Sequence, residues 1–372
     1  MGGDEMAFKY RADHVGSFLR PQEVLDARAR GASASELRAL EEKHILRFID
    51  KQKELGFKIF TDGEVSRRTF MSDFNEATAG WDEEQGVNRM WAGGTSSHAS
   101  TMRVSGIIQE KIKQTKRLTK HEVDFMKAHS PGDIKITLPT PNQFPAIAWK
   151  KEVSGKTYPT YSDFLWDCVP IVRSEIQALC DEGVKYIQID APRYSYYIDP
   201  KWRDYVKNEM GKDPEEALDE AIAVDNAILE GAKRDGVVIC IHLCRGNNRS
   251  EWYAEGGYDP IAEKLFNQLN VDAFSLEYEN ERSGSFEPLR FVPRNKAVIL
   301  GLISSKLPQL ESEDLLVQRI EEASKYLPLD NLALEPQCGF ASVMEGNLLS
   351  EDEQWAKLKL VVEVAKKVWK DA

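Results

Sequence analysis

Cysteine is scarce in this chain: five in 372 residues, at positions 168, 180, 240, 244 and 338. So few, so scattered, cannot frame a disulfide-held secreted domain. The opening stretch, MGGDEMAFKYRADH, lacks the basic segment and apolar run of an export signal. The expectation is a cytoplasmic protein with reduced thiols. Long apolar runs are missing too, since no stretch approaches the roughly 18 uninterrupted residues that a membrane span needs. Positive charge is in deficit, with a net charge of −12, which argues against nucleic acid or an anionic membrane surface as a general partner. The one basic cluster, KIKQTKRLTK at 111–120, has the composition of a solvated face. No internal repeat, low-complexity tract or linker divides the chain.

What is present is alternation. Eight short β-type runs, DHVGSF, KIFTDGE, IKITLPT, YIQIDAP, VVICIHLC, AFSLEYE, VILGLI and LALEPQCG, are separated by longer helical patterns such as ASELRALEEKHILRFIDKQKELG and SEDLLVQRIEEASKYL. Eight strand-helix units predict an α/β chain folded as a single (β/α)₈ TIM barrel over 1–372, about 250 residues of barrel plus insertions. The surplus falls at 66–132, between the second and third strands, where polar sequence (AGGTSSHAST) surrounds an expected hairpin at RVSGIIQEKI.

Reactive groups in such a barrel sit at the carboxyl ends of the strands. Here those ends carry Ser17, Asp62 with Glu64, Asn142, Asp190, His242 with Cys244, Glu277, Ser304 with Ser305, and Cys338. Alternation turns Ile187 and Ile189 away from Asp190, and Phe274 and Leu276 away from Glu277, so the polar set faces the barrel axis. Two thiols, an imidazole and a carboxylate meeting at one mouth would suit Zn²⁺; the candidate ligands are His242, Cys244, Glu277 and Cys338. Cys240, one layer deeper, reads as a small core residue. Glu279 shares the parity of Glu277 and is its rival as oxygen ligand. Asp62 reads as a structural salt bridge or helix cap, and Trp81 and Trp91 as packing residues.

HVGSFLRP (14–21), TDGE (61–64), QIDAP (188–192), HLC (242–244), SLE (275–277) and LEPQCG (334–339) together resemble the catalytic, carboxy-terminal barrel of cobalamin-independent methionine synthase, and more closely its short stand-alone homologues. The resemblance runs nearly the whole chain. It implies zinc held by His242, Cys244, Glu277 and Cys338, and a homocysteine pocket made by Val15, Gly16, Ser17, Glu64 and Asp190. In that pocket Glu64 and Asp190 would be the catalytic carboxylates that hold the ammonium group. Three departures stand out. Where the family carries a histidine in an IHSPR context, this chain reads GLISSKLPQLES, leaving Ser304, Ser305 or Lys306 as substitutes. The tryptophan that stacks on the pterin has only Phe144 as a counterpart, and the family's second, amino-terminal barrel is absent from these 372 residues.

The expected activity is therefore methyl transfer to the thiol of homocysteine, giving methionine, from methyltetrahydrofolate or a corrinoid protein as donor partner, with a homodimer as one option for assembly. The alternatives are another zinc-dependent thiol alkyltransferase, of the epoxide-to-coenzyme-M type; a lyase like uroporphyrinogen decarboxylase, which would line its cavity with Arg20, Arg67, Arg68 and Arg193; and a non-catalytic zinc or thiol carrier.

Overall fold

The computed structural model describes residues 8–91 and 100–372. Nine strands are present among them: β1 (Ile59–Phe60), β2 (Thr78–Trp91), β3 (Ser100–Gln114), β4 (Asp133–Pro139), β5 (Tyr186–Asp190), β6 (Val238–Leu243), β7 (Ala273–Glu277), β8 (Ala297–Ile303) and β9 (Leu332–Pro336). Seven form one parallel sheet in the order β1-β4-β5-β6-β7-β8-β9, and helices separate most of them along the chain. The remaining gap is filled by residues 11–18. Ala12 bridges Leu334 in parallel, with Asp13 N–H donating to Leu334 O at 2.9 Å. On the other side Phe18 N–H donates to Gly63 O at 3.0 Å. This closes a TIM barrel. The first expected strand shrinks to a single bridge because the chain turns at Gly16, whose φ is 140°.

The period-2 pattern explains the layers. Ile187, Ile189, Ile241, Leu243, Phe274 and Leu276 point outward and are buried beneath the helices in the main core, each such side chain contributing about 1.5–3 kcal/mol by leaving water. A second apolar cluster, including Ile59, Tyr186, Cys240, Ile299 and Ala333, fills part of the barrel interior, with Phe8 and Tyr10 packed against it. Cys240 is thus a core residue. Helix ends carry the expected signals: Ser33 caps Ala34–Leu55, which stops at the left-handed Gly56, and Thr160 with Asp163 makes a capping box on Tyr161–Asp181. No helix among the described residues is long and apolar enough to cross a membrane.

Between β1 and β4 stands the antiparallel pair β2–β3. The expected hairpin within RVSGIIQEKI is not there: that stretch runs through as part of β3, and its partner strand is 78–91. Within it, Ser105 and Gly106 fall where the ladder jumps from Gly86↔Ser105 to Asp82↔Ile107, a bulge rather than a reversal.

Candidate active site

The strand ends converge on a cavity of about 790 Å³, its open mouth included, lined by Val15, Ser17, Glu64, Asp190, His242, Cys244 and Cys338 among others. Strand register accounts for part of this. Asp190 at the end of β5 lies beside His242 of β6, and His242 beside Ser275 of β7. The loop after β9 then brings Cys338 across the mouth. His242 Nε2 lies 3.7 Å from Cys338 Sγ, and the ligating atoms of His242, Cys244 and Cys338 all fall within 4.8 Å of one another, all three residues buried. A shared hydrogen bond with Cys244, and then burial, push the Cys338 thiol well up. Two thiolates cannot persist so close unless a cation lies between them. Soft sulfur with imidazole is the donor set that selects zinc, so the residues fit the ion that the sequence suggests.

Glu277 is placed differently. It is fully buried but outside that cluster, its carboxylate paired with Arg282 through Oε1 and accepting Arg245 N–H at 2.7 Å through Oε2. Against the upward push of burial, Arg282, then Arg245 and Lys306, hold it down to about 2. Glu279, the rival oxygen, shares Arg282 at 2.7 Å, and burial lifts it to about 7.

The amino-terminal turn is locked onto the cysteine loop. Phe340 N–H donates to Ser17 O at 2.9 Å, and a Cβ on Gly339 would lie 2.0 Å from Ser17 Oγ, so no side chain fits beside Cys338. Gly16 needs its positive φ, and a Cβ there would also press on Thr137 Cγ2 at 3.0 Å and Glu64 Oε1 at 3.1 Å. Glu64 itself has φ 55°, an unusual conformation for a non-glycine residue, held by Asp62 Oδ1 accepting Glu64 N–H at 2.8 Å. Asp62 thus braces the turn that carries Glu64 rather than capping a helix. Thr137 donates to Glu64 Oε1 at 2.8 Å, while Glu64 Oε2 has no hydrogen-bond partner among the described residues. Burial raises Glu64, against Arg67 and Arg20, and raises Asp190 to about 7. Two buried carboxyls with raised pKa facing one cavity make a receptor for a cation.

Beneath the site runs a column of polar residues that the strand ends alone do not reveal. Lys135 and Asp13, both fully buried, pair at 2.7 Å. Lys135 donates to Gln188 Oε1 at 3.0 Å, and Gln188 Nε2 donates to Asp190 Oδ1 at 2.8 Å. Glu335 accepts from Ser275 Oγ. All but Asp13, which lies on no strand, sit at inward positions of their strands, a signal the alternation carries.

Other candidates play structural parts. Asn142 donates to Ala221 O at 3.1 Å, and Ser305 N–H to Gln337 Oε1 at 3.0 Å. Ser304 Oγ accepts Lys306 N–H at 3.2 Å, and Lys306 Nζ is held by Gly246 O at 2.9 Å and Asn247 Oδ1 at 3.0 Å. Phe144 stacks on Phe74 at 3.6 Å and is buried. The arginines do not converge: Arg67 is bound by Glu122 and Thr137, Arg20 by backbone carbonyls, Arg68 is exposed, and Arg193, which reaches the cavity, lies over Tyr196 and Tyr253. A polycarboxylate lyase would need the opposite. Trp91, in contrast, lines the cavity, edge-on to Tyr253 at 5.2 Å, with no hydrogen-bond partner for its indole N–H among the described residues.

Residues 12–367 match the family described as cobalamin-independent synthase, catalytic domain. The chain belongs to that family. It is 39% identical to the Bacillus subtilis uncharacterized protein YxjG over 97% of this chain and 95% of that one. It is also similar to the structure of a putative vitamin-B12-independent methionine synthase from Listeria monocytogenes, at 31% identity and TM-score 0.73, covering 98% of this chain and 99% of that one. A B12-independent methionine synthase from Shewanella sp. W3-18-1, solved in complex with selenomethionine, shares the fold at 19% identity and TM-score 0.75, with 98% of each chain covered.

Proposed function

We propose that this protein is a zinc-dependent methyltransferase that moves a methyl group from a folate or corrinoid donor to the thiol of homocysteine, giving methionine. The observation that carries the reading is the convergence of His242, Cys244 and Cys338 on the cavity faced by Glu64 and Asp190. In this reading the three residues hold the ion, with Glu277 as the oxygen donor once freed from Arg282. Bound zinc supplies a charge that lowers the pKa of a thiol while leaving its sulfur nucleophilic.

The chain's own residues do the rest. Glu64 and Asp190 take the ammonium group of the amino acid, and its charge draws both toward the carboxylate form. Val15, Gly16 and Ser17 form the turn against which the substrate backbone lies. The apolar residues beyond the strand ends, Phe70, Met71, Trp91 and Val343 among them, keep water from the transferring carbon and hold the donor in line with the sulfur. Family membership and the likeness to the Listeria protein support the same chemistry.

The test is zinc content by elemental analysis, together with methionine formation from homocysteine and methyltetrahydrofolate, its triglutamate, or a methyl-corrinoid. About one zinc per chain and turnover with one of these donors is the expected result. No zinc in metal-replete protein would sink the reading; zinc and homocysteine binding without turnover would leave a carrier.

A further inference from the structure

His242 has a second nitrogen, and what holds it is built into the barrel. Nδ1 lies 2.7 Å from Ser275 Oγ, and the Ser275 hydroxyl in turn donates to Glu335 Oε1. Ser275 is fully buried and Glu335 is 1% exposed. The three come together because His242 and Ser275 are register partners on β6 and β7, while Glu335 shares the inward parity of Ala333 on β9.

The direction of these hydrogen bonds follows from elementary chemistry. A carboxylate only accepts, so the single hydroxyl proton of Ser275 goes to Glu335, and the serine oxygen presents a lone pair to His242. Nδ1 must then carry the imidazole proton. Nε2, the nitrogen facing Cys338, is left with its lone pair, which is the tautomer a metal requires. Without Glu335 the hydroxyl is free to turn its proton onto Nδ1, and the ring proton moves to Nε2, toward the cysteines.

We propose that Glu335, acting through Ser275, is a positioning residue that fixes the tautomer and orientation of His242 for metal binding. This rests on the zinc reading above. Burial, then Asp13, push the Glu335 carboxyl up to about 8 even against Lys135, His242 and the Ser275 hydroxyl, and a cation held by the cysteines would pull it back to the carboxylate, the form in which Ser275 can only donate to it.

The experiment compares wild type, Ser275→Ala and Glu335→Leu by chelator competition for zinc. It also records ¹H–¹⁵N spectra of zinc-loaded protein labelled on histidine nitrogen. Both variants should bind zinc about 10–100-fold more weakly, and the slowly exchanging Nδ1–H of His242 seen in wild type should vanish in Ser275→Ala. Should Glu335→Leu fail to fold, Ser275→Ala decides alone, since it deletes only an oxygen. Wild type without zinc would overturn the metal reading itself. Zinc held by wild type and by both variants at equal affinity, with the His242 proton unchanged, would overturn the relay and leave the metal reading standing.

Discussion

The two ends of the cavity are built on different principles. At the strand ends most side chains facing the cavity are polar and buried, and three are tied to the barrel: Asp190 to Gln188, Glu64 to Thr137, His242 to Ser275. Beyond them the lining is carried by loops, short turns and the β2–β3 pair, and apolar residues such as Phe70, Met71, Trp91 and Val104 stand beside polar ones such as Gln143, Arg193 and Asn247. A barrel strand has hydrogen-bonded neighbours on both sides and little freedom to shift, whereas loops vary without cost to the core. Under the proposed function, the contrast means that thiol activation would rest on the scaffold, while recognition of the second substrate would fall to the parts that can change.

The largest break in that comparison comes from the metal end. Cys244→Ser should abolish stoichiometric zinc and lower methyl transfer by at least about 100-fold, beyond the loss typical of a supporting residue; elemental analysis and a methionine assay read both. Asp190→Asn is the next largest. It keeps shape but removes charge, so the KM for homocysteine should rise about 10–100-fold, the worth of a charge-assisted hydrogen bond, with zinc content unchanged. Equal loss of zinc in Asp190→Asn would merge two functions that this geometry separates.

The same contrast explains what could be read beforehand. All eight barrel segments follow from alternation, and so does the inward aim of Asp190, His242 and Glu277, because parity is a property of the strand alone. Parity does not name partners. Nothing in SLE announces that Arg282 and Arg245 take the Glu277 carboxylate, since those contacts come from a loop and from a backbone N–H that only the fold brings near. Lys135, Thr137, Gln188 and Glu335 were legible by the same rule and are missed when only strand ends are inspected. A hairpin in the 66–132 insertion was legible but its position was not, because RVSGIIQEKI runs through a bulge inside β3, and the role of Trp91 depends on where the β2–β3 pair lies over the cavity.

Trp91 sharpens the comparison at its outer end. Its ring meets Tyr253, and a Cβ on Gly246 would touch it at 2.9 Å, so the β2–β3 pair reaches the loop that follows Cys244. Trp91→Ala should raise the KM for the methyl donor about 2–10-fold, as expected for losing one aromatic contact, and leave homocysteine binding and zinc unchanged. An effect confined to homocysteine would show that the apolar lining serves the thiol instead.

The smallest effect on activity belongs to His14, behind the turn that carries Val15, Gly16 and Ser17. Gln52 donates its amide N–H groups to Phe48 O and Thr61 O, so its oxygen faces His14 Nε2 at 3.1 Å and the ring must donate there. Burial, with Lys135 adding to it, keeps the imidazole neutral and lowers its pKa to about 4, against Asp13 and the Gln52 hydrogen bond. The unfolded chain takes up this proton below about 6.5, whereas the folded chain refuses it until about 4. Stability from this residue is therefore complete above pH 6.5 and declines as pH falls from there toward 4, by up to about 3 kcal/mol. Denaturant midpoints measured at intervals across that window should fall more steeply for wild type than for His14→Gln, which has nothing to protonate. Parallel slopes would mean that the floor beneath Val15 and Ser17 tolerates the charge, and that the rigidity of the strand-end half depends on Lys135 and Asp13 rather than on His14.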